Sequence, residues 1–348
     1  MVFSYYLYKL PYATVWHLLK VMRKLKPVVF YCGDPMDHYI FQPVMQYLGN
    51  IPYVTDKSDV RTFLKQQGIA YESLPAFPMV VVMARHSIHK FPCHSIIKIG
   101  MRHGAYHFKR MTSPESYNQF DRYLMTSKTD VQKGKEHGVT TACAIGFPKL
   151  DPVFRGDISE QILQETGIKA RLNPQKPTVL FSSTYNASGM SAVHIWCNKL
   201  HLLTSEWNVL VTLHSWINSS YKSVIKKTPG VYFINEYNIL PFLMLADVVV
   251  GDTSSFLAEC CALDKPIITF TTNKARRSLG EIDEIIDAIS YRIRSFGELP
   301  EMLTRALNNK SELKAARTWA NRIFFDDLDG RAGERAADEI RRFLPVGK

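Results

Sequence analysis

Several features that mark membrane-embedded, secreted or zinc-binding proteins are missing from this 348-residue sequence. It has no uninterrupted apolar run near the roughly 18 residues that a membrane-spanning helix needs. Its aromatic start, residues 1–19, contains Lys9, Pro11 and His17 and lacks the basic beginning and small-residue cleavage site of a signal peptide. The six cysteines form no C-x-x-C pair, which argues against a zinc site and predicts reduced thiols in a cytoplasmic protein.

Positive charge is in excess, with a formal net charge of +11. Four basic residues cluster just after the aromatic start: Lys20, Arg23, Lys24 and Lys26. A basic stripe beside Trp16 and Leu19 suits either an anionic membrane surface or a solvated helix packed on the N-terminal domain. No nucleic-acid-binding motif accompanies the charge, so nucleic acid is not expected as a partner. We expect a protein that is peripheral on the inner face of the cell membrane.

Short apolar runs alternate with helical segments along both halves of the chain, which is typical of parallel sheets covered by helices. Strands are predicted at 28–32, 51–55, 69–74, 79–84, 96–99, 120–125 and 141–145, and again at 178–182, 209–213, 231–234, 248–250 and 267–270. The predicted helices include one long element at 191–203. The pattern predicts an α/β protein with two Rossmann-like parallel-sheet domains that face a cleft.

Breaks in this alternation give the expected domain boundaries. Residues 1–27 form an aromatic and basic N-terminal segment, and residues 28–155 form the N-terminal domain. The polar stretch 156–176, which contains Gly156, Gly167 and Asn173-Pro174, is interpreted as a linker, within which Ile158 to Glu165 could form a short helix. The C-terminal domain spans 177–330, and a final helix at 331–348 can pack back on the N-terminal domain.

Polar clusters follow four of the predicted strands, which is where open α/β sheets bind ligands. They are His103 with Gly104, Ser182 to Thr184, His214, and Asp252 to Ser255. A single histidine at a strand end is usually a hydrogen-bonded structural residue, but two of them, one in each half, suggest a catalytic centre. The Asp-Thr-Ser-Ser turn starts a helix after Gly251, so it either caps that helix or binds a phosphate.

Seven motifs, in order from about residue 28, resemble those of the CDP-glycerol glycerophosphotransferases of teichoic-acid and capsule synthesis. They are His103-Gly104 with Lys109, the strand from Phe120 to Ser127, the turn from Gly146 to Asp151, the strand from Leu180 to Thr184, Leu213-His214, Asp252 to Ser255, and the tail from Phe325 to Arg335.

The resemblance implies a GT-B fold in which the N-terminal domain binds the acceptor and the C-terminal domain holds the nucleotide donor. The implied reaction is attack by an acceptor hydroxyl on the phosphorus of CDP-glycerol that carries the glycerol, with release of CMP. His103 is the implied base, and His214 holds or protonates the diphosphate. The implied substrate-binding residues are Gly104, His107, Lys109, Ser182, Ser183, Thr184, Asp252, Thr253, Ser254, Ser255 and Glu259, the last of them near the donor ribose.

Several departures from the family motifs point to a divergent donor or acceptor. Lys109 comes six residues after His103 rather than five, Thr212 and Ser215 replace an arginine and a proline around His214, and Ser183 replaces a proline. The expected donor is therefore CDP-glycerol or a related CDP-polyol, and ribitol phosphate or a sugar phosphate fits as the transferred group. The expected acceptor is a lipid-linked saccharide or a polymer end. No metal site or further cofactor is assigned.

Two other functions stay open. The first is a nucleotide-sugar enzyme of the same fold, either a glycosyltransferase or a sugar-nucleotide epimerase, for which a carboxylate pair at the sugar is expected and Glu259 is the candidate. The second is a non-catalytic module that binds a polyanion or a membrane. Replacement of His103 and His214 without loss of function would favour this module.

Overall fold

The computed structural model describes residues 3–105, 113–273 and 280–344, with side chains from Tyr8 onward. The chain divides into two compact units. Unit 1 comprises Met1–His103, Met111–Phe154 and Leu328–Lys348, whereas unit 2 comprises Gly104–Arg110 and Arg155–Asp327.

Unit 1 is built on a seven-stranded sheet in which all described strand pairs are parallel. Its strands are β1 (Lys26–Tyr31), β2 (Tyr53–Thr55), β3 (Tyr71–Ser73), β4 (Pro78–Met83), β5 (Ile97–Met101), β6 (Arg122–Met125) and β7 (Ala142–Ala144). The helices of unit 1 before residue 155 are α1 (Phe3–Val21), α2 (Pro35–Met45), α3 (Ser58–Gln66), α4 (Pro114–Asn118), α5 (Lys128–Glu136) and α6 (Asp151–Phe154). The strand order is β3-β2-β1-β4-β5-β6-β7.

Strand β1 shows why the sheet is covered on both faces. Successive side chains of a strand point to opposite faces. Val28 and Phe30 therefore enter the core that α2 covers, whereas Val29 and Tyr31 enter the core beneath α1. All four side chains are buried, as expected for a central strand of a parallel sheet.

From Tyr8 onward, helix α1 buries one face of its surface against unit 1. Tyr12 and Trp16 are buried, and their polar atoms donate hydrogen bonds to the carbonyl oxygens of Ala76 and Pro78. The opposite face, which includes Leu18 and Val21, is exposed. Within the described residues, α1 and every other helix are too short or too polar to span a membrane.

Unit 2 contains a six-stranded sheet, again parallel in every described pair, with the order β10-β9-β8-β11-β12-β13. Its strands are β8 (Thr178–Ser183), β9 (Asn208–Leu213), β10 (Val231–Phe233), β11 (Val248–Gly251), β12 (Ile267–Phe270) and β13 (Tyr291–Ile293). Its helices are α7 (Glu160–Lys169), α8 (Val193–Trp196), α9 (Ser219–Lys227), α10 (Leu240–Leu245), α11 (Phe256–Ala262), α12 (Gly280–Ile289), α13 (Leu299–Asn308) and α14 (Lys314–Phe325). The predicted fold class, α/β with two parallel sheets, is confirmed.

The last helix, α15 (Ala332–Arg341), belongs to unit 1 and packs against α2. Asp151 fixes its start, because the carboxylate accepts hydrogen bonds from the backbone amides of Ala332 and Gly333 at 3.1 and 2.7 Å. Arg335 donates to the carbonyl oxygen of Ile145 at 2.9 Å. Two of the motifs that carried the family resemblance, the Gly146 to Asp151 turn and the C-terminal tail, therefore hold this helix in place.

Three elements differ from the predicted pattern. The long helix expected at 191–203 is broken into α8 and a separate 3-10 turn at Leu200–Leu202, although the residues at helical spacing, such as Trp196 and Leu200, are buried. Strand β13 is an additional three-residue edge strand. In the stretch interpreted as a linker, the short helix considered at 158–165 is longer and later: it is α7, which packs against α10 within unit 2.

Candidate active site

Each sheet has a topological switch point, where the strand order reverses and ligands of open α/β sheets bind. In unit 1 the switch point lies between β1 and β4. The next strand, β5, ends at Met101 and is followed by Arg102 and His103. In unit 2 it lies between β8 and β11, whose carboxyl ends carry Ser182 to Thr184 and Asp252 to Ser255. The sheet topology therefore places the predicted polar clusters at or beside the two expected ligand-binding edges.

His103 has one ring nitrogen held by the backbone. Its Nδ1 lies 3.1 Å from the carbonyl oxygen of Ala84, the residue directly after β4. A carbonyl oxygen can only accept, so Nδ1 must carry a proton. In the neutral ring the lone pair is then on Nε2, and His103 can act as a base through that atom.

The surroundings of His103 favour this neutral form. The residue is exposed to solvent, but the protein atoms packed around the ring still remove part of its hydration. This desolvation, together with the positive charge of Arg85, lowers the pKa of His103 to about 4. The preceding Arg102 is buried and makes a bidentate ion pair with Asp130, with N–O distances of 2.9 and 2.7 Å, which fixes the end of β5.

Arg85 also ties together the two strand ends at the switch point of unit 1. It lies 3.2 Å from the carboxylate of Asp37 and 3.1 Å from that of Asp34, both of which follow β1. Asp37 is fully buried and accepts a hydrogen bond from the amide of Gly33 at 2.9 Å. Burial raises the pKa of Asp37 to about 6, against the opposing effect of Arg85.

Asp252 has the corresponding position at the switch point of unit 2. Its side chain is fully buried and accepts hydrogen bonds from the Ser183 hydroxyl and from the amides of Thr184, Ala192 and Thr253, the last at 2.7 Å. Burial raises the pKa of Asp252 above its ordinary value, although these hydrogen bonds oppose the shift. The carboxylate therefore joins the loops after β8 and β11 through these hydrogen bonds.

The hydroxyl groups around Asp252 differ in their availability. Ser182, Ser183 and Thr184 are buried, and the Ser183 hydroxyl contacts Ser191 at 2.8 Å as well as Asp252. Thr253, Ser254 and Ser255 are only partly buried. Ser254 accepts a hydrogen bond from the amide of Phe256 at 3.3 Å.

Ser255 is the N-cap residue of α11, but its side chain does not cap the helix. Gly104 belongs to the same unit, and a Cβ atom at Gly104 would lie 3.2 Å from the Ser255 hydroxyl. Glu259, one turn further along α11, is buried. The remaining predicted residues near Gly104, His107 and Lys109, lie outside the described residues.

His214 follows β9 and has the opposite tautomer to that of His103. The amide of Trp216 donates a hydrogen bond to Nδ1 of His214 at 3.1 Å. Nδ1 is then the acceptor, and in the neutral ring the proton is on Nε2. One histidine thus has a basic Nε2, and the other has a donating Nε2–H.

Four residues that lie beside these histidines and strand ends were not among the predicted ones: Asp37, Arg85, Tyr185 and Trp216. Asp37 and Arg85 are 48 positions apart, and only the pairing of β1 with β4 brings them together. Its position in the sequence could have identified Arg85, since it comes after a predicted strand, 79–84, as His103 comes after the strand at 96–99. Tyr185 directly follows Thr184 and Trp216 comes two residues after His214, but an aromatic residue in a loop has no spacing that marks it as functional.

A family described as CDP-glycerol:poly(glycerophosphate) glycerophosphotransferase matches residues 99–342. The chain belongs to this family. The family match spans both predicted histidines and the C-terminal tail, so the resemblance seen in the motifs is confirmed.

Two curated relatives are polymer-forming and priming enzymes of teichoic-acid synthesis. The teichoic acid poly(ribitol-phosphate) polymerase of Bacillus spizizenii is 23% identical over 279 residues, which cover 75% of this chain and 43% of the relative. The teichoic acid glycerol-phosphate primase of Bacillus subtilis is 27% identical over 154 residues, or 42% of this chain and 38% of the relative. The chain thus spans less than half the length of these relatives.

Solved structures show the same fold at low sequence identity. The wall teichoic acid polymerase TagF superimposes with a TM-score of 0.67 at 13% identity, covering 97% of both chains. A Staphylococcus aureus MnaA–UDP structure has a TM-score of 0.64 at 12% identity, covering 93% of this chain and 99% of the other. These similarities confirm the GT-B-like fold predicted for this glycerophosphotransferase family member.

Proposed function

We propose that the chain transfers a polyol phosphate, with glycerol phosphate as the leading candidate, from a CDP-activated donor to an acceptor hydroxyl and releases CMP. The observation that carries this proposal is the pair of opposite tautomers fixed at His103 and His214. Phosphoryl transfer needs a base near the attacking hydroxyl and donors around the phosphates. A ring with a basic Nε2 and a ring with a donating Nε2–H supply one group of each kind.

In the proposed step, Nε2 of His103 accepts the proton of the acceptor hydroxyl as its oxygen attacks the phosphorus that carries the polyol. A new P–O bond forms, and the bond from that phosphorus to the bridging oxygen breaks. The electron pair of the broken bond stays on the phosphate of CMP. His214 donates a hydrogen bond from Nε2 to the diphosphate and stabilises the negative charge that CMP acquires.

The donor phosphates are proposed to bind at the turn before α11. Ser255 and the partly buried Thr253 and Ser254 offer hydroxyl groups there, and Asp252 holds the turn against the loop that begins at Thr184. Ser182, Ser183 and Glu259 are buried behind this surface and support it. Gly104 leaves room beside Ser255.

The direct test is to incubate the purified chain with an acceptor and with CDP-glycerol, CDP-ribitol or UDP-sugars in turn, and to quantify the released nucleotide. Release of CMP from a CDP-polyol is the expected result, and the rates with the two CDP donors identify the transferred group. Release of UDP alone would contradict the proposal and favour a nucleotide-sugar enzyme.

The acceptor is proposed to be a lipid-linked saccharide or polymer end, reached at the cytoplasmic membrane surface. The support comes from α1, whose exposed residues include the apolar Leu10, Val15, Leu18 and Val21, and from the exposed Met22 directly after it. Burying these exposed apolar side chains in a membrane is favourable, because each Å² of apolar surface removed from water contributes about 25 cal/mol. Lys20, Arg23 and Lys24 are exposed on and just after the same helix, and each basic residue near an anionic lipid surface contributes about 1 kcal/mol.

Vesicle sedimentation tests the membrane proposal separately from catalysis. The chain is expected to sediment with vesicles that contain phosphatidylglycerol and to remain in the supernatant with purely zwitterionic vesicles. Binding should weaken as salt is raised, because part of the attraction is electrostatic. Equal sedimentation with both kinds of vesicle would contradict a role for the basic residues.

A further inference from the structure

Three aromatic rings form a compact cluster at the carboxyl ends of β8 and β9 in unit 2. The ring centroid of Tyr185 is 5.2 Å from that of His214 and 5.7 Å from that of Trp216, and the His214 and Trp216 rings are 5.5 Å apart. The Tyr185 and Trp216 planes are nearly perpendicular, at 72°. The two rings therefore make a corner beside the histidine proposed to bind the diphosphate.

The backbone holds this corner in place. The Trp216 amide is fixed by its hydrogen bond to His214. Two residues later, the amide of Asn218 donates to the side-chain oxygen of Asn186 at 3.0 Å, which joins the loop after β9 to the loop after β8. A preorganised ring loses little conformational entropy when a ligand binds, so such a platform contributes more to affinity than a mobile side chain.

The exposure of Trp216 sets it apart from most tryptophans of the chain. Trp16, Trp196 and Trp207 are buried, whereas Trp216 is 71% exposed in spite of its contacts with two other rings. Exposed indole is apolar on its faces and carries one N–H donor at its edge. A pyranose ring has the matching chemistry, with C–H groups on one face and hydroxyl groups around its rim.

We propose that Trp216, supported by Tyr185, is a stacking platform for the saccharide ring of the acceptor. The inference rests on the proposed function, because it takes the diphosphate to lie at His214. The acceptor hydroxyl must reach the phosphorus to attack it, so the ring that bears this hydroxyl lies next to the diphosphate. The cytosine of the donor is further away, beyond the ribose, and an open polyol chain has no ring face to stack.

The first experiment measures CMP release by the wild-type chain, Trp216→Ala and Trp216→Phe against acceptor and donor concentration separately. Trp319, which is 47% exposed on α14, provides the matched control Trp319→Ala. Trp216→Ala is expected to raise the KM for a saccharide acceptor roughly three- to tenfold and to leave the KM for CDP-glycerol unchanged. Trp216→Phe keeps a flat ring and should recover part of the loss, and all variants keep the backbone amide that orients His214.

Two outcomes would overturn the assignment. An unchanged acceptor KM in Trp216→Ala would remove Trp216 from the acceptor site. A higher KM for CDP-glycerol, with weaker binding of CDP and CMP alike, would make the platform a nucleobase site instead.

Binding without turnover separates this inference from the proposed function. A free saccharide acceptor should quench tryptophan fluorescence in the wild type and in Trp319→Ala but not in Trp216→Phe. A chain that releases no CMP yet shows this difference would contradict the transfer reaction and support the subsite. Equal quenching in all three proteins would contradict the subsite whatever the activity.

Discussion

Nδ1 of His103 lies 3.1 Å from the carbonyl oxygen of Ala84, and this hydrogen bond links the ends of two neighbouring strands, β5 and β4. The bond fixes both the orientation of the ring and the position of its proton. Because the acceptor is a backbone carbonyl next to Arg85, the same short segment also places a positive charge near the imidazole. Orientation, tautomer and protonation state of the proposed base therefore depend on the end of β4.

Replacement of His103 by Asn tests its role as the base. The Asn amide can still donate to the Ala84 carbonyl but has no basic nitrogen, so we expect kcat to fall about 10²- to 10⁴-fold. Binding of CDP-glycerol, measured by calorimetry, should stay within about twofold of the wild type. His201→Asn, at an exposed site, is the control and should retain full activity. A His103→Asn protein with more than half of the wild-type rate would contradict the assignment.

The pKa of His103 makes a prediction for the dependence of activity on pH. The base is active when deprotonated, and its pKa is about 4 rather than the usual value near 6.5. The value of kcat/KM should therefore stay level as the pH falls from 7 towards 5 and decrease only as it approaches 4. A decrease centred near pH 6.5 would contradict the lowered pKa.

Arg85→Gln should shift to higher pH the point at which kcat/KM decreases in acid. Removing the positive charge favours protonation, so the pKa of His103 rises and activity is lost at a higher pH than in the wild type. Arg102 also lowers this pKa and Asp34 raises it, but both remain in the variant. Asp37, whose pKa is about 6, loses its ion-pair partner in this variant, so its own titration can also change the activity profile. The His103 pKa should therefore be measured directly, by NMR titration of the imidazole ring. Lys90→Gln, which breaks a separate ion pair with Asp56, should leave the His103 titration unchanged.

Asp252 and Ser255 should respond differently to truncation. Asp252→Ala leaves a buried serine hydroxyl and several buried amides without their acceptor, each at a cost of about 1–3 kcal/mol, so we expect a clear drop in Tm. Ser255→Ala removes a partly buried hydroxyl that does not cap its helix, so Tm should hardly change while the affinity for CDP-glycerol falls. Thermal unfolding and calorimetric binding on both variants distinguish the positioning residue from the ligand contact. Unchanged donor affinity in Ser255→Ala would remove it from the phosphate site.

Charged substitutions on the apolar face of α1 test whether this face contacts the membrane. Leu18→Glu combined with Val21→Glu places two carboxylates on the exposed face, where these side chains are 58% and 83% exposed. Since neither side chain is buried, Tm should be nearly unchanged, whereas sedimentation with anionic vesicles should fall at least tenfold. Ile168→Glu, at a 78% exposed site on α7, is the matched control and should bind vesicles normally. Vesicle binding by the double variant at the wild-type level would exclude this face as the contact.

Gly333 allows close packing of α15 on α2. A Cβ atom there would lie 2.3 Å from the carbonyl oxygen of Pro43, so Gly333→Ala must displace one helix from the other. We expect a loss of stability of about 1–3 kcal/mol, seen as a lower Tm. Gly167→Ala is the contrasting control, because no atom lies within 4 Å of its added methyl group and the residue is within α7. That change should leave Tm unchanged or slightly higher.

Sequence patterns predicted the elements whose signal is local. The apolar runs of the central strands, such as Val28 to Tyr31, and the turns that follow them led to the two parallel sheets. Strand β13, Tyr291 to Ile293, was missed because Arg292 and Arg294 interrupt the apolar residues there and leave no apolar run. The helix expected at 191–203 begins only at Val193, since the hydroxyl of Ser191 and the amide of Ala192 are held by Ser183 and Asp252.

The candidate site was predictable in position but not in the roles of its members. Strand ends identified His103, His214 and the Asp252 turn. Whether a carboxylate there faces a ligand or is buried against backbone amides depends on contacts between distant segments, such as that of Asp252 with Thr184. The tautomers depend in the same way on single backbone groups, those of Ala84 and Trp216, and no residue pattern encodes them.

Because α15 belongs to unit 1 but comes last in the sequence, synthesis of unit 1 is complete only after that of unit 2. Ala336, Ala337 and Ile340 fill the same core as Val28 and Phe30, yet Arg155 to Asp327, the main part of unit 2, is translated between them. At about 5–20 residues per second, the first unit waits on the order of ten seconds for its last helix. The second domain can therefore finish folding while the first is still open, the reverse of the usual N-terminal-first order.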